Sequence, residues 1–161
     1  DPIKAESKRQ ERYILVYMIE TNRKLIQLAD SLSVVTGLPV IQRKPGKIFR
    51  NELESFYTHT PGEFLGEMER AEYVLTNSFH GTVFSIIYER PFVSMLHSQT
   101  GSRTVDLLKT LGLENHILYE ARDFKDMKQF VIENPKELKS RIEELRAESV
   151  AFLTKALGVK K

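Results

Sequence analysis

No cysteine occurs in the 161 residues, which excludes disulfides and cysteine-ligated zinc and is compatible with a reducing, intracellular compartment. An excess of one charge is missing too. Lys and Arg number 24 against 22 Asp and Glu, so the net charge is +2, too small to argue for a nucleic-acid partner. No apolar run approaches the roughly 20 residues that a membrane helix needs, and the opening residues carry no signal-peptide pattern. Three of the four histidines, His59, His97 and His116, fit no metal-ligand spacing. No separated pair of acidic residues suggests glycoside hydrolysis, and the glycine signatures of phosphate loops and dinucleotide sites are lacking. These absences argue against a metal hydrolase, a nucleotide triphosphatase and a dehydrogenase.

What is present is the mixture of a soluble globular protein, 41% apolar and 29% charged, in a length that suits one domain with a real core. The chain opens at Asp1 and runs through a charged stretch without core residues, Lys4 to Arg12. The expectation is a linker or boundary remnant over 1–12 and one domain over 13–161, taken from a larger protein.

Tyr13 to Ile19 is almost wholly apolar and too short for a helix, which predicts a strand covered on both faces. Leu25, Leu28, Ala29, Leu32 and Val35 then recur at helical spacing, Gly37 ends the helix, and Pro39 to Gln42 starts a second strand. This is a βαβ unit in size and order. Residues 43–60 read as a long loop. Thr60, Pro61 and Glu63 form a helix start with a capping box, and Phe64, Leu65 and Met68 supply its buried face. Next come a strand at Tyr73 to Thr76, a helix from about Phe79 to Tyr88, and a strand at Pro91 to Met95. A helix from Thr104 to Leu111 follows, stopped by Gly112, and then a short strand at Ile117 to Tyr119. Phe124 to Ile132 reads as a short helix. Asn134 and Pro135 cap a long final one, with Leu138, Ile142, Leu145, Phe152, Leu153 and Ala156 along one face. The alternation predicts an α/β fold: a Rossmann-like parallel sheet with helices on both faces.

The most informative stretch is Ala71 to Ile87. A buried strand ends at Thr76 and a helix starts near Phe79, with Thr76, Asn77, Ser78, His80 and Gly81 at the turn between them. A helix that starts at the C-terminal edge of a parallel sheet offers unpaired N–H groups to an anion. The loop from Leu96 to Arg103 leaves the next strand at the same edge. Together the two loops predict one site built from Asn77, Ser78, His80, Ser98, Thr100, Ser102 and Arg103. Arg103 would add a charged fork suited to phosphate or carboxylate, and His80 a proton or a hydrogen bond near neutral pH. Each residue also has a plainer reading: Ser78 as an N-cap, Gly81 as a close-packing residue, His80 as a structural side chain, Arg103 as a surface ion pair.

The strings Pro61-Gly62-Glu63-Phe64-Leu65, Ala71 to Ser85 with Thr76-Asn77-Ser78-Phe79-His80-Gly81 inside it, Arg90-Pro91-Phe92-Val93, and Ser102 to Leu108 with Leu111-Gly112-Leu113 resemble the C-terminal part of the polysaccharide pyruvyl transferase family. The resemblance covers residues 58–120 most clearly. It implies the C-terminal half of a glycosyltransferase-B-like bacterial enzyme, with an N-terminal domain of the same protein as its partner. Such enzymes move pyruvate from phosphoenolpyruvate to two hydroxyls of a sugar in exopolysaccharide or cell-wall biosynthesis, leaving a cyclic ketal. They need no cofactor beyond the donor substrate. The resemblance further implies a cytoplasmic location, with access to the inner membrane through a lipid-linked acceptor. His80 is then the catalytic acid or phosphate donor, with Asn77, Ser78, Gly81, Thr100, Ser102 and Arg103 as substrate-binding residues. Several family members carry Arg two residues before the motif His, where this chain has Ser78: either the positive charge comes from elsewhere, with Arg103 the nearest candidate, or the substrate differs from phosphoenolpyruvate. Two other classes fit the same residues: a non-catalytic domain that binds a nucleotide-sugar or glycan intermediate, and an interaction domain that docks through its final helix.

Overall fold

A computed structural model describes residues 12–43, 60–97 and 101–158. Its centre is a five-stranded, all-parallel sheet made of β1 (Ile14–Tyr17), β2 (Val40–Arg43), β3 (Tyr73–Thr76), β4 (Phe92–Met95) and β5 (Ile117–Leu118), in the order β2-β1-β3-β4-β5. Ile14 pairs with Val40 on one side and Tyr73 on the other, and Thr76 pairs with Ser94. The expected fold class is therefore the observed one. The expected loop over 43–60 lies, from Lys44 to His59, outside the described residues, as do the first eleven residues.

Helices cover both faces, and the period-2 alternation of the strands decides which side chains go where. Tyr13, Leu15, Ile41, Val74 and Phe92 point to one face, where they meet Met68, Ile86, Leu108 and Leu138 from α2 (Pro61–Arg70), α3 (Phe79–Ile87), α4 (Gly101–Thr110) and α5 (Pro135–Ala156). Ile14, Val16, Val40, Leu75 and Val93 point to the other, against Leu25, Leu28, Ala29 and Leu32 of α1 (Arg23–Thr36) and against Phe130. Chain direction requires this split. Steps from β2 to β3, β4 and β5 progress one way across the sheet and the step from β1 to β2 goes the other way, so right-handed crossovers place α1 opposite the remaining helices.

Local signals account for the helix ends. The Asn22 side chain accepts from the N–H groups of Lys24 and Leu25, at 3.0 and 3.1 Å, and Gly37 closes α1 in the left-handed region at φ 70°. Thr60 and Glu63 make the expected capping box at the start of α2. Arg12, the last residue of the stretch expected as a linker, donates from Nε to Glu72 at 3.0 Å, and this bond holds the Glu72 carboxyl below its ordinary range.

Five details differ from the sequence reading. Val35 is 79% exposed, because it falls one step outside the stripe formed by Leu25, Leu28, Ala29 and Leu32. α4 begins at Gly101, a turn earlier than expected, so Ser102 and Arg103 belong to its first turn. Phe124 to Ile132 is not an α-helix but an irregular segment with a 3-10 turn at Met127–Phe130. Side chains compete there for the backbone: Asp126 accepts from the Lys128 N–H at 2.7 Å and Gln129 from that of Lys125. Phe124, Met127 and Phe130, three residues apart, still reach the core. Finally, α5 packs only through its first half. Leu138 is buried and Ile142 and Leu145 pack beside it, whereas Phe152 and Leu153 are 70% and 54% exposed and Ala156 is exposed. A helix of 22 residues is about 33 Å long and overruns strands of about 13 Å. The Asn134 side chain makes no capping bond.

His116 is the buried polar residue most exposed to a change of pH. Its ring is stacked on Phe92 with centroids 4.4 Å apart, and Nδ1 lies 2.9 Å from the Phe92 carbonyl. Burial holds its pKa below the ordinary value of 6.5, against a smaller opposing pull from that carbonyl. The unfolded chain therefore takes up a proton around pH 6.5 that the folded chain refuses. Stability is full above that pH and falls as pH drops below it. Urea unfolding between pH 8 and pH 5 measures this slope, and His116→Gln is expected to flatten the part of it that His116 causes.

Candidate functional site

The strand order 2-1-3-4-5 reverses direction between β1 and β3, and ligands of open α/β sheets bind in the crevice beyond the strand ends at such a point. The turn from β3 into α3 forms one wall of it. The Thr76 hydroxyl donates to the Tyr17 carbonyl at 2.7 Å and accepts from the Ser78 N–H at 3.0 Å, which ties the turn to β1. Ser78 is the N-cap of α3, its hydroxyl facing the Gly81 N–H at 3.4 Å. Phe79 and His80 are thus the first two helical residues, where N–H groups have no partner inside the helix.

Asn77 is 2% exposed and spans the crevice floor. Its Oδ1 accepts from the Ile19 N–H at 3.0 Å and its Nδ2 donates to the Glu20 carbonyl at 2.8 Å. Both ends of the amide hold the loop that follows β1, so this side chain shapes the crevice from below. Gly81 stands where α3 touches the strand ends: a Cβ there would lie 2.3 Å from Thr76 Oγ1 and 2.9 Å from Tyr17 Cδ1. The rest of the contact follows the same logic. Thr82 meets Ser94 at 3.0 Å and Ser85 donates to the Gly81 carbonyl at 2.8 Å, both buried. Small residues turned to the sheet let α3 approach closely while Phe84 packs on Phe64, with ring centroids 6.1 Å apart.

His80 is exposed at the helix start, its ring edge-on to Phe79 at 6.0 Å between centroids. Arg103, exposed in the first turn of α4, holds its guanidinium carbon 5.0 Å from the centre of the same Phe79 ring. Phe79 thus joins His80 and Arg103 in one patch, a cation–π contact placing the guanidinium beside the start of α3. Ser102 is exposed on the same turn of α4. Ser98 and Thr100 lie outside the described residues. Among the described residues no cluster of three or more His, Asp or Glu stands ready to hold a metal ion.

Three residues at this edge escaped the sequence reading. Phe79 is one, visible only as the neighbour of His80. The others are Glu20, three residues past β1, and His97, two past β4, whose Oε2 and Nε2 lie 3.5 Å apart. Position just after a strand end was the available signal for both.

A family model described as polysaccharide pyruvyl transferase matches residues 2–99, well over half of the sequence. The chain belongs to that family. The match includes His80 and the turn around it and ends before Ser102 and Arg103. No curated protein is similar enough in sequence to count as a match. Among solved structures, the glycotransferase of kitacinnamycin is similar over 89% of this chain and 42% of its own, with 15% identity and a TM-score of 0.54. The glycosyltransferase SnogD from Streptomyces nogalater is similar over 97% of this chain and 46% of its own, with 14% identity and a TM-score of 0.53. At such identities the likeness concerns the fold, which is the Rossmann-like architecture of glycosyltransferase-B-like enzymes. The chain spans less than half the length of either structure.

The close approach at Gly81 has a measurable consequence. Gly81→Ala is expected to lower stability by about 1–3 kcal/mol, because the new methyl group displaces Thr76 from its bond to Tyr17. Denaturant unfolding of this variant beside the wild type checks it, and an unchanged midpoint would refute the packing argument.

Proposed function

We propose that this chain is the donor-binding half of an enzyme that transfers pyruvate from phosphoenolpyruvate to a sugar of a bacterial polysaccharide. Its partner in that reading is a second Rossmann-like domain of the same protein. Family membership supports the class of reaction. The observation that carries the assignment to this edge is the patch in which Phe79 joins His80 to Arg103 at the start of α3.

The reaction makes definite demands. Two sugar oxygens form bonds to C2 of the enol, the bond from C2 to the phosphate oxygen breaks, and C3 gains a proton. The two hydroxyls give up two protons, one balanced by the proton on C3 and one leaving with inorganic phosphate. The donor brings a phosphate and a carboxylate, which suit a guanidinium and the free N–H groups at a helix start. His80, solvent-facing and next to those N–H groups, is the group that protonates C3 or donates to the phosphate. Ser78 and Gly81 support this arrangement by capping α3 and letting it sit against the strand ends, and Asn77 holds the Ile19–Glu20 loop in place. Ser102, in the first turn of α4, and Thr100 belong to the same proposed binding set. In this reading the work takes place in the cytoplasm, where phosphoenolpyruvate is made, on an acceptor that can be lipid-linked.

Phosphate release by the full-length protein, given phosphoenolpyruvate and candidate glycans, tests the reading. His80→Ala should lower kcat about a hundredfold or more with an unchanged melting temperature, the scale expected on losing a general acid. Arg103→Ala should act mainly by raising the KM for the donor. Donor binding without turnover would favour the non-catalytic domain instead. The 161 residues alone should fold and bind the donor weakly without turning it over, since half of the cleft would be missing; robust turnover by them would contradict the two-domain arrangement.

A further inference from the structure

We infer that His97, backed by Glu20, is a second acid–base group of this site, the one that takes the proton from the attacking sugar hydroxyl. The inference rests on the transfer reaction proposed above and deepens it. Its basis is placement. β3 lies between β1 and β4 in the sheet, so a contact between residues that follow β1 and β4 must reach across about two strand spacings, or roughly 10 Å, over the end of β3. Glu20 and His97 make that reach: Oε2 and Nε2 stand 3.5 Å apart above the turn that carries Asn77 and leads to His80. Both side chains are partly open to solvent, 31% for Glu20 and 17% for His97, so a substrate in the crevice can meet them.

Glu20 does not stand there by accident of a surface loop. Its backbone carbonyl is held by the buried amide of Asn77, which also takes the N–H of Ile19. A carboxylate 3.5 Å from an imidazole nitrogen orients the ring for proton transfer. The crevice then holds one imidazole next to an anion-attracting helix start and a guanidinium, and another next to a carboxylate. The first environment suits the anionic donor and the second suits the neutral hydroxyl that has to become a nucleophile. In the first addition His97 takes the hydroxyl proton as oxygen bonds to C2, and His80 gives a proton to C3. Solvent restores both rings, and the proton of the second hydroxyl leaves with phosphate.

The test uses the full-length enzyme with phosphoenolpyruvate and a productive glycan acceptor. His97→Gln should lower kcat about a hundredfold while the KM for phosphoenolpyruvate stays within about twofold of wild type. His97→Ala should regain part of its lost turnover when imidazole is added to the buffer, which a purely structural histidine would not do. Glu20→Gln should lower kcat by a smaller factor, about tenfold, again with the donor KM kept. Turnover in His97→Gln equal to wild type, or a loss in His97→Ala that imidazole leaves untouched, overturns the assignment while leaving the transfer reaction standing. Absence of phosphate release from the wild-type enzyme overturns the transfer reading, and this assignment with it.

Discussion

The contact between the first turn of α3 and the end of β3 is the constraint on which the rest of the site depends. Gly81 lets the helix start come within van der Waals range of Thr76 and Tyr17, and Thr76 uses that proximity to bond both the carbonyl of β1 and the N–H of Ser78. A larger residue at Gly81 would push the helix outward, and the Ser78 cap, the exposed His80 and the Phe79 ring would move with it. The buried hydroxyls of Thr82 and Ser85 extend the same close approach along the helix, each satisfied within the contact, so internal hydrogen bonds offset the cost of taking them out of water.

From that contact the crevice is built outward in two directions. Toward β1, Asn77 holds the Ile19–Glu20 loop by both ends of its amide. Toward β4, the loop past Met95 carries His97 back over the strand ends to Glu20, and α4 begins early enough to set Arg103 over Phe79. Each anchor lies in a different βα unit, which is why the parallel sheet has to be complete before the site exists. The reaction proposed for this chain needs an anion-binding wall and proton-transfer groups in one place. A sheet edge at a switch of strand direction collects helix starts and loop ends there as a consequence of topology.

Much of the fold was legible in the sequence because its signals are local. Apolar runs at Tyr13, Tyr73 and Phe92 became strands of the sheet, the Thr60-Pro61-Glu63 start became a capping box, and Gly37 closed its helix in the left-handed region. The errors came where a tertiary or competing term decided. Phe124 to Phe130 had apolar spacing compatible with a helix, but Asp126 and Gln129 satisfied backbone N–H groups first. The far half of α5 had the right periodicity and no surface left to cover. Periodicity states which face of a helix is apolar, not whether a partner is present along its whole length.

The site divides in the same way. The Thr76 to Gly81 string marked the turn, its cap and its histidine, since cap geometry and the strand-to-helix transition are written in consecutive residues. Glu20, Phe79 and His97 carried no comparable signal, because a single acidic, aromatic or imidazole side chain acquires meaning only from what stands opposite it. By itself the sequence determined the parallel α/β architecture, the family and the location of the key turn. Only the tertiary structure decided that Asn77 faces the backbone of the β1 loop, that Phe79 lies between His80 and Arg103, and that Glu20 meets His97. Apart from the neighbours Phe79 and His80, those contacts join residues 24 to 77 positions apart, and strand order and register, not local spacing, set such distances.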